Sequence, residues 1–231
     1  YVLILLNIFQ KKKNFFTLRF VFAPETIGAI TYLKINQDYL KKNIIGGYVI
    51  TCVGDEKNYS FLESKDKKTI SNIIAKETFK KLKIKYKNYN FLERGSDERQ
   101  FNSPGINLPI ASIMRTKYGE YAEYHTSDDN LELITDRGLK DSFRFIKEVI
   151  NNFNKKIIPI SSNKCEPFLS KRKLYPTIST GKIDQFYKNL LNFLSYADGT
   201  KDLDEIGKNI KLKGESLKQI YKILKRKKLI T

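Results

Sequence analysis

The chain has 231 residues, of which 41% are hydrophobic and 13% aromatic, enough to bury a substantial core. The formal net charge of +18 suggests contacts with nucleic acid. The lysines are dispersed along the chain, however, so nucleic acid is not expected as a partner. The two cysteines are too few for a disulfide framework and indicate a reducing, cytoplasmic location.

The sequence opens at Tyr1, inside an apolar run, and we expect further residues before it. The run from Tyr1 to Phe9 is too short to span a bilayer, so no membrane partner is expected. The basic residues follow the run rather than precede it, unlike those of a secretory signal.

The first half of the chain predicts strands alternating with helices. Residues 18–22 are typical of a short buried strand that Pro24 ends, and a helix is expected from Glu25 to about residue 33. Residues 47–53 form an apolar, β-rich run typical of a strand covered on both faces. A helix follows from 66 to about 82.

An irregular stretch from 93 to 108 leads into a predicted strand at 109–114 and a strongly amphipathic helix at 136–153. This alternation predicts an α/β fold of three layers, with a mainly parallel sheet between helices. Sites in such sheets form at the carboxyl ends of the strands. Glu25, Asp55 and the loop after residue 92 are therefore expected to converge.

The carboxyl-terminal part of the chain differs in composition. Residues 161–180 form a polar connector that contains several prolines, and three helical patterns with a short final strand follow it. This pattern predicts an α/β domain over residues 1–160 and a small winged-helix-like domain over 181–231.

Two loops carry the side chains best suited to chemistry. The segment 95–101 presents Asp97, Glu98 and Arg99 between glycines, where the backbone can turn and polar side chains stay accessible. The only histidine, His125, lies in a polar loop next to Tyr124 and a little before Asp129. A histidine in such a setting is a candidate metal ligand.

Short phrases of the sequence resemble a known family. They include residues 24–28, 52–55, 94–99, 101, 105–106, 109, 112–115, 117–120, 124–126, 129, 165–167 and 174–176. Together they are similar to the closing half of the bacterial zinc aminopeptidases of the leucyl aminopeptidase type. The closer resemblance is to a branch of aminopeptidase-like proteins linked with polysaccharide biosynthesis, which also carry a winged-helix-like module.

The resemblance implies the roles of Glu25 and His125, and general coordination and ion-pair chemistry suggests those of the residues near them. Glu25 matches the catalytic glutamate and would act as a general base, and His125 matches a zinc ligand. Tyr124 or Asp129 would orient the imidazole, and Arg99 or Arg115 would hold a substrate anion.

The departures from the family concern the metal. Thr26 and Cys52 stand where the family places carboxylate ligands, and a further histidine and aspartate are expected before Tyr1. Asp97, Asp55 and Cys52 are further possible ligands, and zinc is the expected cofactor of the whole protein.

Two functions follow. The first is a zinc-dependent hydrolase of peptide or amide bonds with a small peptide or amide substrate; the alternative is a non-catalytic binding protein associated with polysaccharide biosynthesis. A homo-oligomer is compatible with either. Structural roles also stay open: Glu25 as a helix N-terminal acid, Asp97 with Arg99 as a loop ion pair, Cys52 and Cys165 in packing, and the basic run 222–228 as a solvated helix face.

Overall fold

The architecture was examined in a computed structural model that describes residues 2–11, 14, 16–174 and 185–231. The chain divides into two compact units, Tyr1–Lys155 and Lys156–Thr231. Of the proline-containing connector predicted at 161–180, the part beyond residue 174, with Pro176, lies outside the described residues.

The first unit combines one sheet with five helices among its described residues. The strands are β1 (Gly47–Ile50), β2 (Ser60–Leu62), β3 (Lys87–Tyr89) and β4 (Ile110–Met114). The helices are α1 (Val2–Gln10), α2 (Ile27–Asn43), α3 (Ile70–Leu82), α4 (Glu98–Phe101) and α5 (Asp136–Lys155). The strand predicted at 109–114 and the helix predicted at 136–153 are confirmed.

The strand order in the sheet is β1-β4-β2-β3, so the last strand in the sequence lies at the centre. β1 pairs with β4 in parallel, and β2 pairs with β3 in parallel. β4 and β2 are antiparallel. Two of the three pairings are therefore parallel, as the alternation of strands and helices predicted.

Successive side chains of a strand point to opposite faces of a sheet, and this alternation builds the two outer layers. Phe61 of β2 packs edge-on against Phe79 of α3, which in turn stacks on Phe145 of α5. On the opposite face, Leu62 and Met114 share a buried cluster with Tyr89 and Tyr118. A second cluster on that face joins α2 to the sheet through Leu33, Leu40, Leu108 and Ile110.

The strand predicted at 18–22 is wrong, because this segment has extended backbone without a strand partner. Val21 and Phe22 are largely exposed, so their apolar character reflected no burial in a sheet. The segment is instead held against α2, where Arg19 donates a hydrogen bond to the Tyr32 hydroxyl (3.1 Å) and lies over the Tyr39 ring.

Glu25, Asp55 and the loop after residue 92 were expected to converge because each would follow a parallel strand, and this premise is also wrong. Glu25 follows no strand, and the loop after residue 92 follows β3, which runs opposite to β1 and β4. The carboxyl end of β3 therefore lies at the other edge of the sheet from Asp55. After β3, the chain returns to the centre of the sheet through α4, a helix within the stretch 93–108 that was predicted to be irregular.

The second unit is helical, with α6 (Gln185–Tyr196), α7 (Leu203–Asn209) and α8 (Gly214–Arg226). The three predicted helical patterns are confirmed, and the suggested final strand is a single bridge between Ile230 and Ser161. α7 begins with a capping box, in which Asp202 accepts from the Glu205 amide and Glu205 accepts from the Asp202 amide. One apolar cluster forms its core, including Leu190, Phe193, Ile206, Leu217, Ile220, Leu224 and Leu229.

Across the described part of the chain, no helix combines the length and apolar character that crossing a bilayer requires.

Candidate functional site

The loop before α4 is organised by a buried carboxylate, that of Glu98. Its Oε1 accepts hydrogen bonds from the backbone amides of Gly95 (2.9 Å) and Ser96 (3.0 Å) and from the Tyr118 hydroxyl (2.9 Å). Its Oε2 accepts one from the Ser112 hydroxyl in β4 (2.8 Å). With four donors, this side chain is 0% exposed and fixes the loop to the centre of the sheet.

Glu98 was predicted to be an accessible polar side chain of this loop, and that prediction is wrong because the carboxylate is fully buried by its four donors. An acidic residue a few positions after the start of a helical turn often accepts from the amides that precede it, as in a capping box. The neighbouring Asp97 and Arg99 are the more exposed residues, and they drew the functional interpretation.

The fixed loop contacts the segment that contains Glu25. The Ser96 hydroxyl donates to Oε1 of Glu25 (2.7 Å), and the amide of Thr26 donates to Oδ1 of Asp97 (2.7 Å). Arg99 donates to the Thr26 hydroxyl (3.0 Å). Glu25, Asp97 and Arg99 therefore lie together around the start of α2.

Asp97 is half-buried beside two other acids. Burial raises the pKa of its carboxyl, and the negative charges of Glu25 and Glu98 raise that pKa further, whereas the Thr26 amide and Arg99 oppose the rise. The electrostatic potential at the Asp97 carboxyl is therefore negative, which favours a bound proton or a cation there.

His125 belongs to a group of aromatic rings. Its imidazole stacks on the Tyr124 ring, with centroids 3.9 Å apart and planes inclined by 16°, and Tyr124 meets Tyr121 edge-on. The Tyr121 hydroxyl lies 3.7 Å from the sulfur of Cys52 and 3.5 Å from Oδ2 of Asp129. Tyr124 thus contacts the imidazole through its ring, and Asp129 contacts Tyr121.

Electrostatics connect the two groups. Burial raises the pKa of the Tyr124 phenol, and electrostatic interactions with Glu25 and Cys52 raise it further. Tyr124 and Cys52 also pack against the same buried cluster of the sheet. Glu25, Cys52, Tyr124 and, by stacking, His125 therefore surround one region, which we call the candidate site.

Three residues of this region have a left-handed backbone without being glycine. The φ angles are 61° at Thr26, 47° at Cys52 and 57° at His125. Such a conformation is uncommon for any residue other than glycine and unusual for a β-branched one such as Thr26. Backbone strain of this kind concentrates at functional sites, where it aims particular side chains.

Asp55 and Arg115 have other surroundings. The Asp55 carboxylate accepts from the amide and hydroxyl of Thr116 (2.9 and 2.7 Å) and from the Lys57 amide (2.8 Å), so it joins the loops that follow β1 and β4. The Arg115 side chain lies over the Tyr59 ring on the α3 and α5 face of the sheet. Arg115 is therefore on the opposite face from Glu25 and the loop that holds it.

The donor set was tested for a metal ion. A catalytic zinc ion takes about three protein ligands, but among the described residues no three His, Cys, Asp or Glu side chains are grouped to hold one. Oε1 of Glu25 and Oδ1 of Asp97 already accept hydrogen bonds, and the imidazole of His125 is stacked on Tyr124. These residues alone do not fit a zinc site.

Comparison with known families divides the chain where the structure does. Residues 1–156 match a family described as a domain of unknown function (DUF4910), and residues 157–231 match a winged helix-turn-helix family. The winged-helix prediction for the carboxyl-terminal unit is thereby confirmed.

A similar curated protein comes from Clostridium acetobutylicum and is provisionally named a polysaccharide biosynthesis protein with an aminopeptidase-like domain. It is 43% identical over 203 residues, which cover 85% of this chain and 45% of that protein. A crystal structure of a provisionally assigned peptidase from Clostridium acetobutylicum is 36% identical, with a TM-score of 0.65, and the match covers 99% of this chain and 51% of that one. The chain thus spans about half the length of these relatives.

A zinc aminopeptidase from Bacillus subtilis is 13% identical, with a TM-score of 0.45, over 55% of this chain and 32% of that one. Likeness at that level supports no inference about chemistry. The closer relatives suffice to confirm the predicted resemblance to aminopeptidase-like proteins and the predicted α/β class with its winged-helix module.

Proposed function

The chain belongs to the family of the domain of unknown function DUF4910, and from this premise we propose that it is part of a hydrolase that cleaves peptide or amide bonds. The names of its relatives, one with an aminopeptidase-like domain and one a peptidase, support this reaction class. The substrate would be a small peptide or amide from which an N-terminal residue is removed.

The observation that carries the proposal is the state of the Glu25 carboxylate. Ser96 fixes Oε1, and the side chain is otherwise exposed, with no hydrogen bond to Oε2 from the described residues. One oxygen is thus positioned while the other can take a proton. A general base requires this combination of fixed orientation and access.

The surrounding residues supply the rest of the site. Oε2 of Glu25 would remove a proton from an attacking water and return it to the leaving amine. Tyr124 and His125 provide a stacked aromatic wall beside it. Arg99, which is tied to Thr26 at the start of the same helix, would attract a substrate carboxylate.

Zinc remains part of the proposal only for a protein that supplies further ligands. A bound zinc ion would polarise the scissile carbonyl and acidify water. His125 is the ligand that the family resemblance assigns here, and at least two more protein ligands would have to come from residues beyond those described.

A comparison of two matched variants tests the proposal. Purified chain is incubated with a panel of aminoacyl amides, with and without added zinc, and release of the free amino acid is measured. Glu25→Gln keeps the side-chain size and should lower turnover by about 100-fold or more. Glu77→Gln, an exposed residue of α3, should leave turnover unchanged. Equal turnover by both variants would contradict Glu25 as the general base, and no turnover of any amide would show that this part of the protein does not catalyse the reaction alone.

A second candidate function is a binding protein without catalysis, associated with polysaccharide biosynthesis as the name of the curated relative says. The observation that favours it is the engagement of Asp97 and Asp55 in hydrogen bonds within the fold. Retained binding of the same amides by Glu25→Gln, without hydrolysis by the unaltered chain, would distinguish this function from the first.

The remaining expectations belong to the same proposal. A cytoplasmic location agrees with two free cysteines, Cys52 and Cys165. A homo-oligomer is a further expectation, which light scattering at several protein concentrations would check.

A further inference from the structure

Beside the sheet edge where β4 ends lies a second pocket, separate from the candidate site. Its volume is about 500 Å³, a size typical of small-molecule sites. Arg115 follows β4 directly, whereas the other lining residues precede β2 and β3, including Tyr59, Lys85 and Tyr86. The pocket is on the α3 and α5 side, because Tyr59 packs against Phe79 and Phe145.

Arg115 is an unusual residue to find in this position. It is only 5% exposed, yet its Nε and Nη1 make no hydrogen bond within the described part of the chain. Its guanidinium carbon lies over the Tyr59 ring, 4.0 Å from the ring centroid. Buried arginines are normally paired with a carboxylate or several acceptors, because an unpaired buried charge is costly.

The other charges around the pocket are already matched. Lys57 pairs with Glu123 (2.9 Å), Lys87 with Glu120 (3.3 Å), and Glu56 with Arg137 (3.6 Å). Asp141 and Arg144 of α5 are not part of the lining, and they act on the Tyr59 phenol with opposite signs.

Two cations of the lining therefore stay uncompensated. Lys85 is exposed and, like Arg115, has no ion pair among the described residues. A dianion compensates two positive charges more fully than a single carboxylate can. The aromatic rings of Tyr59 and Tyr86 offer flat apolar surface for the rest of a ligand.

We propose that this pocket binds the phosphate group of a small phosphorylated molecule. Nε and Nη1 of Arg115 are buried in the unliganded chain, so the guanidinium would turn toward the pocket that it lines in order to donate these N–H groups to the phosphate oxygens, and Lys85 would contribute the second charge at the rim. The bound phosphate would supply the hydrogen-bond acceptors that Nε and Nη1 of Arg115 lack. The proposal does not depend on the hydrolase, since the pocket and the candidate site lie on opposite faces of the sheet.

The test follows arginine Nε–H signals of the whole chain by NMR during titration with glucose 1-phosphate, with inorganic phosphate and glucose as comparisons. The Arg115 signal, assigned through Arg115→Met, should shift saturably with both phosphates and not with glucose. Calorimetry should show at least tenfold weaker binding by Arg115→Met and about threefold weaker binding by Lys85→Gln. Lys68→Gln, an exposed lysine outside the pocket, should change the affinity less than twofold.

Stability separates a ligand-binding arginine from a structural one. Arg115→Met removes an unpaired buried charge and keeps the length of the side chain, so it should leave the midpoint of thermal unfolding unchanged or raise it. An Arg115 signal that does not move with either phosphate, or equal affinities for Arg115→Met and Lys68→Gln, would overturn the proposal. If Arg115→Met does not fold, Arg115 is structural, and an unchanged affinity of Lys85→Gln would complete the refutation.

Discussion

Each face of the sheet buries a charged side chain beside β4, Glu98 on one face and Arg115 on the other, and the surroundings of these two differ sharply. On the α4 face, Glu98 accepts four hydrogen bonds and connects the loop, the strand and Tyr118. On the α3 and α5 face, Arg115 has an aromatic ring beneath it and two nitrogens without acceptors. The first charge is satisfied by the fold itself, which indicates a structural role. Two nitrogens of the second have no acceptor within the described part of the chain, which is the arrangement expected of a residue that binds a ligand.

The largest expected effect is on the satisfied charge. Glu98→Leu would leave two backbone amides and two hydroxyls buried without an acceptor, and we expect it to lower the free energy of unfolding by about 3 to 5 kcal/mol. Urea denaturation measures the loss. Glu77→Leu on the exposed side of α3 is the matched control, with an expected change of at most about 0.5 kcal/mol. Similar losses for both would mean that the network around Glu98 adds little.

A second prediction concerns the face of Arg115, where close packing rather than hydrogen bonding limits change. A Cβ at Gly138 in α5 would overlap the Gly54 carbonyl oxygen and lie 2.6 Å from that of Asp55. Gly138→Ala should therefore destabilise the chain by about 2 to 3 kcal/mol, although alanine inside a helix normally stabilises by about 1 kcal/mol. Thermal unfolding gives the sign, and a rise in the midpoint would show that the loop moves aside freely.

The partly satisfied acid at the candidate site should show itself through pH. The pKa of Asp97 is raised in the folded chain, chiefly by burial, so its contribution favours folding at low pH and is lost as pH rises through the folded-state pKa. Relative to Asp97→Asn, the unaltered chain should gain in thermal midpoint between pH 7 and pH 4. A difference that stays constant, or that grows toward pH 7, would contradict an acidic field around Asp97.

The smallest effect tests whether Glu25 and Tyr124 share one region. Removing the negative charge in Glu25→Gln should lower the pKa of the Tyr124 phenol, because that charge contributes to its rise. Tyrosine ring-carbon NMR during a pH titration follows the phenol directly. Glu77→Gln serves again as the control, and an unchanged Tyr124 titration in Glu25→Gln would separate Glu25 from the aromatic group.

Sequence patterns predicted the elements whose signal is local. The amphipathic stripe of α5 and those of α6 and α8 follow from helix periodicity, and β4 from an apolar run bounded by Pro109. The segment 18–22 has the same β-rich character, but it pairs with none of the strands among the described residues. β2 and β3 have three residues each, too few for a pattern to emerge.

The sequence predicted individual residues of the candidate site but not how the fold groups them. Its members were found through family resemblance, and the structure brings Glu25, Asp97, Arg99 and the Tyr124–His125 pair into one region. The position of Arg115 on the other face depends on the alternation of side chains along β4, which fixes Ser112 and Met114 on one face. Two of the donors to Glu98, the amides of Gly95 and Ser96, are local, but the hydroxyls of Ser112 and Tyr118 come from farther along the chain, so the full network could not be read from a local pattern.

The central position of β4 has a consequence for the order in which the chain can assemble. Gly47 in β1 pairs with Ile110, and Ser60 in β2 pairs with Met114, so neither pairing can form before β4 has been synthesised. Until β4 emerges from the ribosome, β1 has no partner among the described strands and the β2–β3 pair has an open edge, which exposes both to association with other chains. Sheet closure therefore depends on late, long-range contacts, which slow folding and lengthen that exposure. A chain stopped before residue 110 should aggregate rather than form a smaller version of the fold.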